Sequence, residues 1–430
     1  MITDIIGFIL VGVLLTVCLW ALYNVPILAS GVKDFCKKRQ SPNKKRVPDE
    51  HLPSFSIVIP VKNEERVIDR LLTSLSTLNY PVNKREIIIV EDGSTDKTNE
   101  ICMNYAKEHA NVKILNKPIS NGKPSALNFG LAQAKGDVVA VFDADNVPAN
   151  DALLAVVDYF EDPKVAAVQG RTSSINPKEN MLTQFIAYEE AVWCEAYLRG
   201  KDVLNLFVHL KGSCQFIRRD VLQQLQGFDE AVLSEDMEIS ARLIENDYKI
   251  RYASDVVALQ ESPSSLKTLF QQRTRWFRGT MEVAFKYGRL MTKLNRINFD
   301  AETTLFGPFI LIASLAPYFA AFWVFSTFWS LDIVWRLVIQ FGMLTTTLTM
   351  LMCGLALIYV SKPRKVRSLL WLPFVYCYWS LQAFIALYAV ILIVLRRPKK
   401  WTKTDKQGTL GFSATLKQTT VVNELENSGK

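Results

Sequence analysis

A chain of 430 residues, 49% of them apolar and with a formal charge of +8, exceeds one small domain. Its lysines and arginines flank long apolar runs and nothing in the chain resembles a nucleic-acid module, so the positive balance goes with membrane topology and anionic lipid, not with nucleic acid. The seven cysteines are scattered singly, without CxxC pairs or Cys/His spacing, which argues against a zinc module or a catalytic thiol.

The first element is an uncharged run at 5–29, long enough to cross a hydrocarbon core of roughly 30 Å. Asp4 precedes it, and Lys33, Lys37, Lys38, Arg39, Lys44, Lys45 and Arg46 follow, the reverse of a cleaved signal peptide. We read 1–31 as a transmembrane anchor and 32–53 as a basic linker, which places the next domain in the cytoplasm.

From 54 to 262 strand and helix patterns alternate. Strands are expected at 54–61, 86–92, 112–116, 137–143 and 165–170, and helices at 65–75, 97–109, 124–134 and 150–160. Near-continuous apolar strands separated by amphipathic helices imply a mostly parallel, Rossmann-like α/β sheet covered on both faces. A helix at 181–200 presents Phe185, Tyr188, Trp193 and Tyr197, suited to a headgroup boundary, and 263–303 contains a second amphipathic, interfacial helix. Three further apolar stretches, 304–331, 334–360 and 369–395, are each long enough to span, and 396–430 is a polar tail. Pro308 and Pro317 are placed to bend the first of the three, and Trp323, Tyr376, Tyr378 and Trp379 offer aromatic faces within the cluster. Basic residues flank both ends of the last stretch, so charge leaves the number of crossings open.

Ligands of parallel sheets bind beyond the carboxyl ends of the strands. Asp92 ends the second strand, and Asp143 and Asp145 end the fourth. Carboxylates buried there without a partner cost several kcal/mol each, so a cation is expected. Hard ions such as Mg²⁺ or Mn²⁺ commonly bind through one or two carboxylates plus phosphate. The alternative is local: either aspartate caps the next helix or closes an Asx turn. GxGxxG and GxxxxGK[ST] are both missing, which removes the usual dinucleotide and P-loop readings.

FSIVIPVKNEE, IIIVEDGSTD, NGKPSALNFGL, VFDADNVP, LSEDMEIS and QQRTRW, in this order, resemble glycosyltransferase family 2 over 55–279. The similarity is to its membrane-integrated branch, the synthases of cellulose, chitin, hyaluronan and poly-N-acetylglucosamine. It implies a GT-A-like fold, a nucleotide-sugar donor (usually a UDP-sugar), a divalent metal and inversion at the anomeric carbon. By position, Asp92 would contact the nucleoside, and Lys123 would lie near the nucleotide. Asp143 and Asp145 would form the DxD of the ribose and metal-bound diphosphate. Asp236 would be the general base, with Glu235 beside it on the diphosphate side. Gln272, Arg275 and Trp276, the QxxRW set, would border the acceptor.

Elementary chemistry leaves alternatives beside these roles. Ser234 is placed to cap a helix starting at Glu235, fixing Asp236 at its entrance, yet Glu235 and Asp236 would also simply complement the positive helix end. Gln272, Arg275 and Trp276 share one helical side, which also suits a basic interfacial helix. His209, in HLKGSCQ, is a second candidate base behind Asp236. The resemblance implies repeated sugar addition to a β-linked polysaccharide, fed through the membrane helices of a plasma-membrane enzyme. The alternative is single addition to a membrane lipid.

Overall fold

The computed structural model describes residues 2–37, 48–288, 293, 295–316, 319, 333–360, 370, 372–399 and 403–408. The chain divides into two compact units. One comprises Arg39–Glu190, Phe207–Leu269 and Trp401–Lys430; the other comprises Met1–Lys38, Ala191–Leu206 and Phe270–Lys400.

The first unit is built on one sheet of eight strands. They are β1 (Phe55–Val61), β2 (Arg85–Glu91), β3 (Val112–Asn116), β4 (Val138–Val141), β5 (Val147–Pro148), β6 (Val165–Ser174), β7 (Gln215–Arg218) and β8 (Lys249–Gln260). Their order is β3-β2-β1-β4-β7-β6-β8-β5. The run from β3 to β4 is parallel, and β6 pairs parallel with β8. β7 runs antiparallel to both β4 and β6, and β5 runs antiparallel to β8.

The apolar strands are apolar because both faces are covered. Ile57, Ile59, Ile87, Ile89 and Ala140 join one core cluster with Leu71, Leu72 and Leu75 of the helix Ile68–Ser76. On the other side of β1 and β2, a Cβ at Gly130 would lie 2.6 Å from Val58 Cγ1 and 3.0 Å from Val90 Cγ2. The helix Lys123–Leu131 therefore lies directly on those valines, and this close seating fixes where Lys123, its first residue, stands.

Alternation anticipated the parallel half. It missed β5, β7 and β8, and the sheet is mixed because β5 and β7 run antiparallel to their neighbours. β7 is only four residues long, and β8 begins KIRYASD, a mixture of charge and apolarity that fits no clean period. β6 also runs beyond the expected 165–170, to Ser174.

The second unit is helical. Val11–Cys36 and Pro373–Val394 are long and apolar enough to cross a membrane, and Ile333–Val360 forms another long helix. The stretch expected to span at 304–331 is interrupted: a helix Arg296–Leu305 ends, and a new one, Gly307–Ala313, begins with Pro308 in its first turn. Pro308 thus starts a helix where it was expected to bend one, as its fixed φ and missing N–H favour. Pro317 and Trp323 lie outside the described residues. The expected interfacial helix 181–200 is an α-helix (Met181–Val192) running into a π-turn, Trp193–Leu198. Phe185 and Tyr197 are buried and Tyr188 is half-buried, so of the four aromatics proposed for a headgroup boundary only Trp193, at 38%, is exposed.

The anchor crosses this segment through two glycines. A Cβ at Gly31 would lie 1.8 Å from Ala196 O, and one at Gly200 would lie 1.9 Å from Ile27 O. Backbone meets backbone there, as small residues permit between membrane helices. Gly200→Ala should therefore lower the melting temperature of the detergent-purified protein, the clash of about 1–3 kcal/mol outweighing the roughly 1 kcal/mol of added helix propensity. Gly12→Ala is the control, since nothing lies within 4 Å of its Cβ position. A Gly200→Ala protein that melts with the parent would remove this contact from the account.

Candidate active site

The strand order changes direction at β1. β2 and β3 follow on one side of it, while β4 lies on the other. Such a switch point leaves a crevice beyond the strand ends. Asn63 and Glu64 follow β1, Asp92 follows β2, and Asp143 and Asp145 follow β4.

Asp92 is buried at the foot of the EDGSTD turn. Its Oδ2 accepts from the Ser120 hydroxyl at 2.7 Å, and Lys117 Nζ stands 3.6 Å from Oδ1, which takes no hydrogen bond among the described residues. The turn is closed by Glu91, whose carboxylate accepts the N–H groups of Gly93 and Ser94. Gly93, at φ +80°, supplies the left-handed residue. Asn63 ties this turn to β1: its N–H donates to Ser94 Oγ and its side-chain oxygen accepts from the Thr95 N–H.

Lys123 is the centre of the next group. Its ammonium lies 2.7 Å from Asp143 Oδ1 and 3.5 Å from Glu235 Oε1, and donates to the Gly212 carbonyl at 2.8 Å. Burial alone would lower the pKa of Lys123, but the carboxylates of Asp143 and Glu235 outweigh it and hold the ammonium form. Burial pushes the Asp143 carboxyl up against the pull of Lys123, with Asp145 and Glu235 adding repulsion.

Asp236 stands beside this group on the helix Glu235–Glu245. Its Oδ1 accepts from the Ser234 hydroxyl at 2.6 Å and the Met237 N–H at 2.8 Å. Ser234 was expected to accept from the helix as its cap. It makes no side-chain cap bond and instead orients the aspartate. The other oxygen, Oδ2, faces Gly212, where a Cβ would come within 3.2 Å of it and 3.3 Å of Lys123 Nζ. Gly212 has φ +81°. HLKGSCQ thus packs its backbone where a side chain would crowd both groups. His209, from the same loop, is buried.

Asp145 is held differently. Its Oδ2 accepts the Glu261 N–H at 3.1 Å and pairs with Lys406 Nζ at 2.6 Å. Burial would raise its pKa, and the Lys406 ammonium more than reverses that. Lys406 belongs to the polar tail, and no local pattern in the sequence places it near these strand ends. Residues 403–408 lie across the site. Lys403 pairs with Glu64 at 3.1 Å and donates to the Asn63 carbonyl, while Lys406 also donates to the Glu261 carbonyl at 2.7 Å. The N–H groups of Gln407 and Gly408 reach the Glu261 carboxylate, which Arg70 holds from the other side at 2.9 Å. Glu64, pushed up to about 7 by burial despite Lys403, completes the set. These groups escaped sequence reading because Lys403 and Lys406 look like further basic flank after the last apolar stretch, and Glu261 sits in a short loop without periodicity.

Asp92, Asp143, Asp145, Lys123, Glu235 and Asp236 therefore stand in the unit of the sheet, at its carboxyl-end loops and the helices entering them. Gln272, Arg275 and Trp276 lie on the helix Leu266–Tyr287, within the other unit. There Arg273 places its guanidinium 4.4 Å from the Trp276 ring centre, an arrangement that presents a cation on an aromatic face.

Among the described residues no group of three or more His, Cys, Asp or Glu could enclose a metal ion. Asp143 and Asp145 still suit a hard divalent ion that takes its remaining ligands from phosphate and water. The ammonium against Asp145 marks the position as one that takes a cation.

A mostly parallel sheet with aspartates at its carboxyl-end crevice is the arrangement of a GT-A-like fold, the class to which the matches below assign the chain. The description "Glycosyltransferase like family 2" matches residues 53–279, and the chain belongs to that family. A probable glycosyltransferase of Bacillus subtilis is 33% identical over 279 residues, covering 64% of this chain and 66% of the relative. A beta-monoglucosyldiacylglycerol synthase of Nostoc is 35% identical, covering 56% and 52%. A poly-beta-1,6-N-acetyl-D-glucosamine synthase of Staphylococcus epidermidis is 30% identical, covering 59% and 61%. The chain thus spans half to two thirds of the length of the curated relatives it matches. Among solved structures, a mannosyltransferase of Pyrobaculum calidifontis in complex with GDP-Man and Mn²⁺ shares the fold, with a TM-score of 0.57 and 21% identity over 90% of this chain and 100% of that one.

Proposed function

We propose that the chain is an inverting, membrane-integrated glycosyltransferase that moves a sugar from a UDP-sugar to a growing β-linked polysaccharide. The observation that carries the reading is the Lys123 ammonium joining Asp143 of the DxD to Glu235 of SED, which sets a donor-binding carboxylate beside the candidate base. Asp92 takes the nucleoside, with its unbonded oxygen as acceptor. Asp143 and Asp145 would hold Mg²⁺ or Mn²⁺, which supplies positive charge against the departing diphosphate. In the transfer the acceptor oxygen forms its bond to the anomeric carbon as the bond from that carbon to the diphosphate oxygen breaks. Asp236 Oδ2 takes the hydroxyl proton while Ser234 and the Met237 N–H keep Oδ1 occupied, so the carboxylate is oriented for that one task. Lys123 keeps Asp143 and Glu235 from repelling each other before the donor arrives. By the family resemblance Gln272, Arg275 and Trp276 would border the acceptor, and the two long apolar helices would hold the enzyme in the membrane.

The identity to beta-monoglucosyldiacylglycerol synthases supports a second reading, single addition to a membrane lipid with the same donor chemistry. Membranes containing the protein, incubated with radiolabelled UDP-sugars, distinguish the two: the first reading gives high-molecular-weight polymer, the second a chloroform-soluble product. Asp145→Asn should weaken Mn²⁺-dependent UDP binding by about 10- to 100-fold, the loss of a charge-assisted contact. An unchanged metal requirement, measured by calorimetry, would remove Asp145 from the metal site.

A further inference from the structure

We propose that Gln169 is a positioning residue for the transfer: its buried side-chain amide holds the loop 210–214 in the conformation that joins the donor-side carboxylate to the candidate base. The proposal rests on the reading of Asp236 as that base and of Asp143 as part of the donor site. Gln169 is fully buried in β6, directly after the apolar run Val165–Val168. An amide in such a strand is costly unless it is hydrogen-bonded, and the transfer as described makes no use of it.

Its bonds all go to backbone. Gln169 Oε1 accepts the Lys211 N–H at 2.7 Å. Nε2 donates to the carbonyls of Gly170 at 2.8 Å and Ser213 at 3.0 Å, with the Cys214 carbonyl at 3.3 Å. The partners fix the amide's orientation, since the oxygen faces an N–H and the nitrogen faces carbonyls. One side chain thereby supplies the loop with bonds that a neighbouring strand would otherwise give. The loop requires them: Gly212 at φ +81° and Cys214 at φ +49° are both left-handed. A cysteine seldom adopts that conformation, and it persists only where the surroundings hold it.

The loop in turn touches both halves of the site. The Gly212 carbonyl accepts from the Lys123 ammonium, the partner of Asp143. Ser213 Oγ accepts the Asp143 N–H at 3.0 Å and donates to the Asn146 side-chain oxygen. On the other side Ser240, from the helix of Asp236, accepts the Leu210 N–H at 2.9 Å and donates to the Asp236 carbonyl at 2.6 Å. Gly212 also packs against Asp236 Oδ2. Gln169 therefore acts on the donor carboxylate and the base through one short piece of backbone, and a loop shift of about 1 Å would misalign them at a cost of up to about 100-fold in rate.

Gln169→Met keeps the length of the side chain and removes both hydrogen-bonding ends. In the detergent-purified full chain it should lower kcat for radiolabel transfer from UDP-glucose or UDP-N-acetylglucosamine by about 10- to 100-fold, with calorimetric UDP affinity within about threefold of the parent. Added to Asp236→Asn, it should cost less than about a further twofold, because the base whose placement it serves is already gone. Hydrogen exchange needs no transfer: in Gln169→Met the amides of 210–214 should exchange about tenfold faster, while those of β1 and β2 keep parental rates. Ser240→Ala frees the same loop from the base helix and should give the same loss of kcat at parental UDP affinity. Full transfer by Ser240→Ala overturns the loop's role even if Gln169→Met does not fold. Loop exchange at the parental rate in Gln169→Met, or losses that multiply in the double variant, overturns the positioning role and leaves Asp236 as the base. Undiminished transfer by Asp236→Asn alone removes the base and this proposal with it.

Discussion

Asp236→Asn is expected to reduce sugar transfer by about 10²- to 10⁴-fold, the worth of a positioned general base, while UDP binding stays within about twofold of the parent. The substitution preserves shape. An asparagine oxygen in the place of Oδ1 still accepts from the Ser234 hydroxyl and the Met237 N–H. Lys123 keeps its contacts with Asp143, Glu235 and the Gly212 carbonyl, so the donor-side charges stay in balance. What is lost is the basicity of Oδ2, the oxygen beside Gly212 that has no hydrogen bond of its own among the described residues. Radiolabel transfer and calorimetric UDP binding, measured on the same preparation, separate the two effects. Undiminished transfer would reassign the base, with Glu235 and His209 the neighbouring candidates. Glu235 suits the task poorly, being buried and committed to the Lys123 ammonium.

The parts of this site that were legible in the sequence are those that end regular elements. β2 and β4 are apolar runs, and the carboxylates that follow them, Asp92 and Asp143 with Asp145, are conspicuous because they interrupt burial. Lys123 was placed by the resemblance, through the NGK stretch, and it is the first residue of the helix Lys123–Leu131. Ser234 was placed correctly at the helix entrance but given the wrong partner: a serine hydroxyl there can accept from the backbone or donate to a nearby carboxylate, and spacing does not choose between them. The strands β7 and β8 were not legible, since one is too short to show a period and the other mixes charge with apolarity. Lys406 was not legible at all. Its role depends on a contact between residues 145 and 406, and nothing local to either residue records it.

Asp300→Asn should destabilise the helical unit by about 3–5 kcal/mol, the cost of leaving a buried charge without its partner. Lys201 and Asp300 are both wholly buried and paired at 2.9 Å. The ammonium also donates to Thr304 Oγ1 at 2.6 Å and lies 4.8 Å from the Tyr197 ring centre, and the other Asp300 oxygen accepts from Tyr23 OH at 2.8 Å. The network ties the anchor helix, through Tyr23, to the segment after the π-turn and to the helix Arg296–Leu305. It stands beside the Gly31–Gly200 crossing, where the backbones touch. An asparagine at 300 keeps the shape but leaves the Lys201 charge in an interior that cannot hydrate it. Replacing both members with apolar residues of similar size, as in Lys201→Met with Asp300→Leu, should recover most of the loss, because neither charge then has to be buried. Thermal unfolding of the detergent-purified proteins, read by the fraction that remains monodisperse, gives the comparison. The single variant should fall well below the parent and the double variant should return towards it. A single variant as stable as the parent would show that Lys201 does not depend on this carboxylate, and the network would then carry no part of the unit's stability.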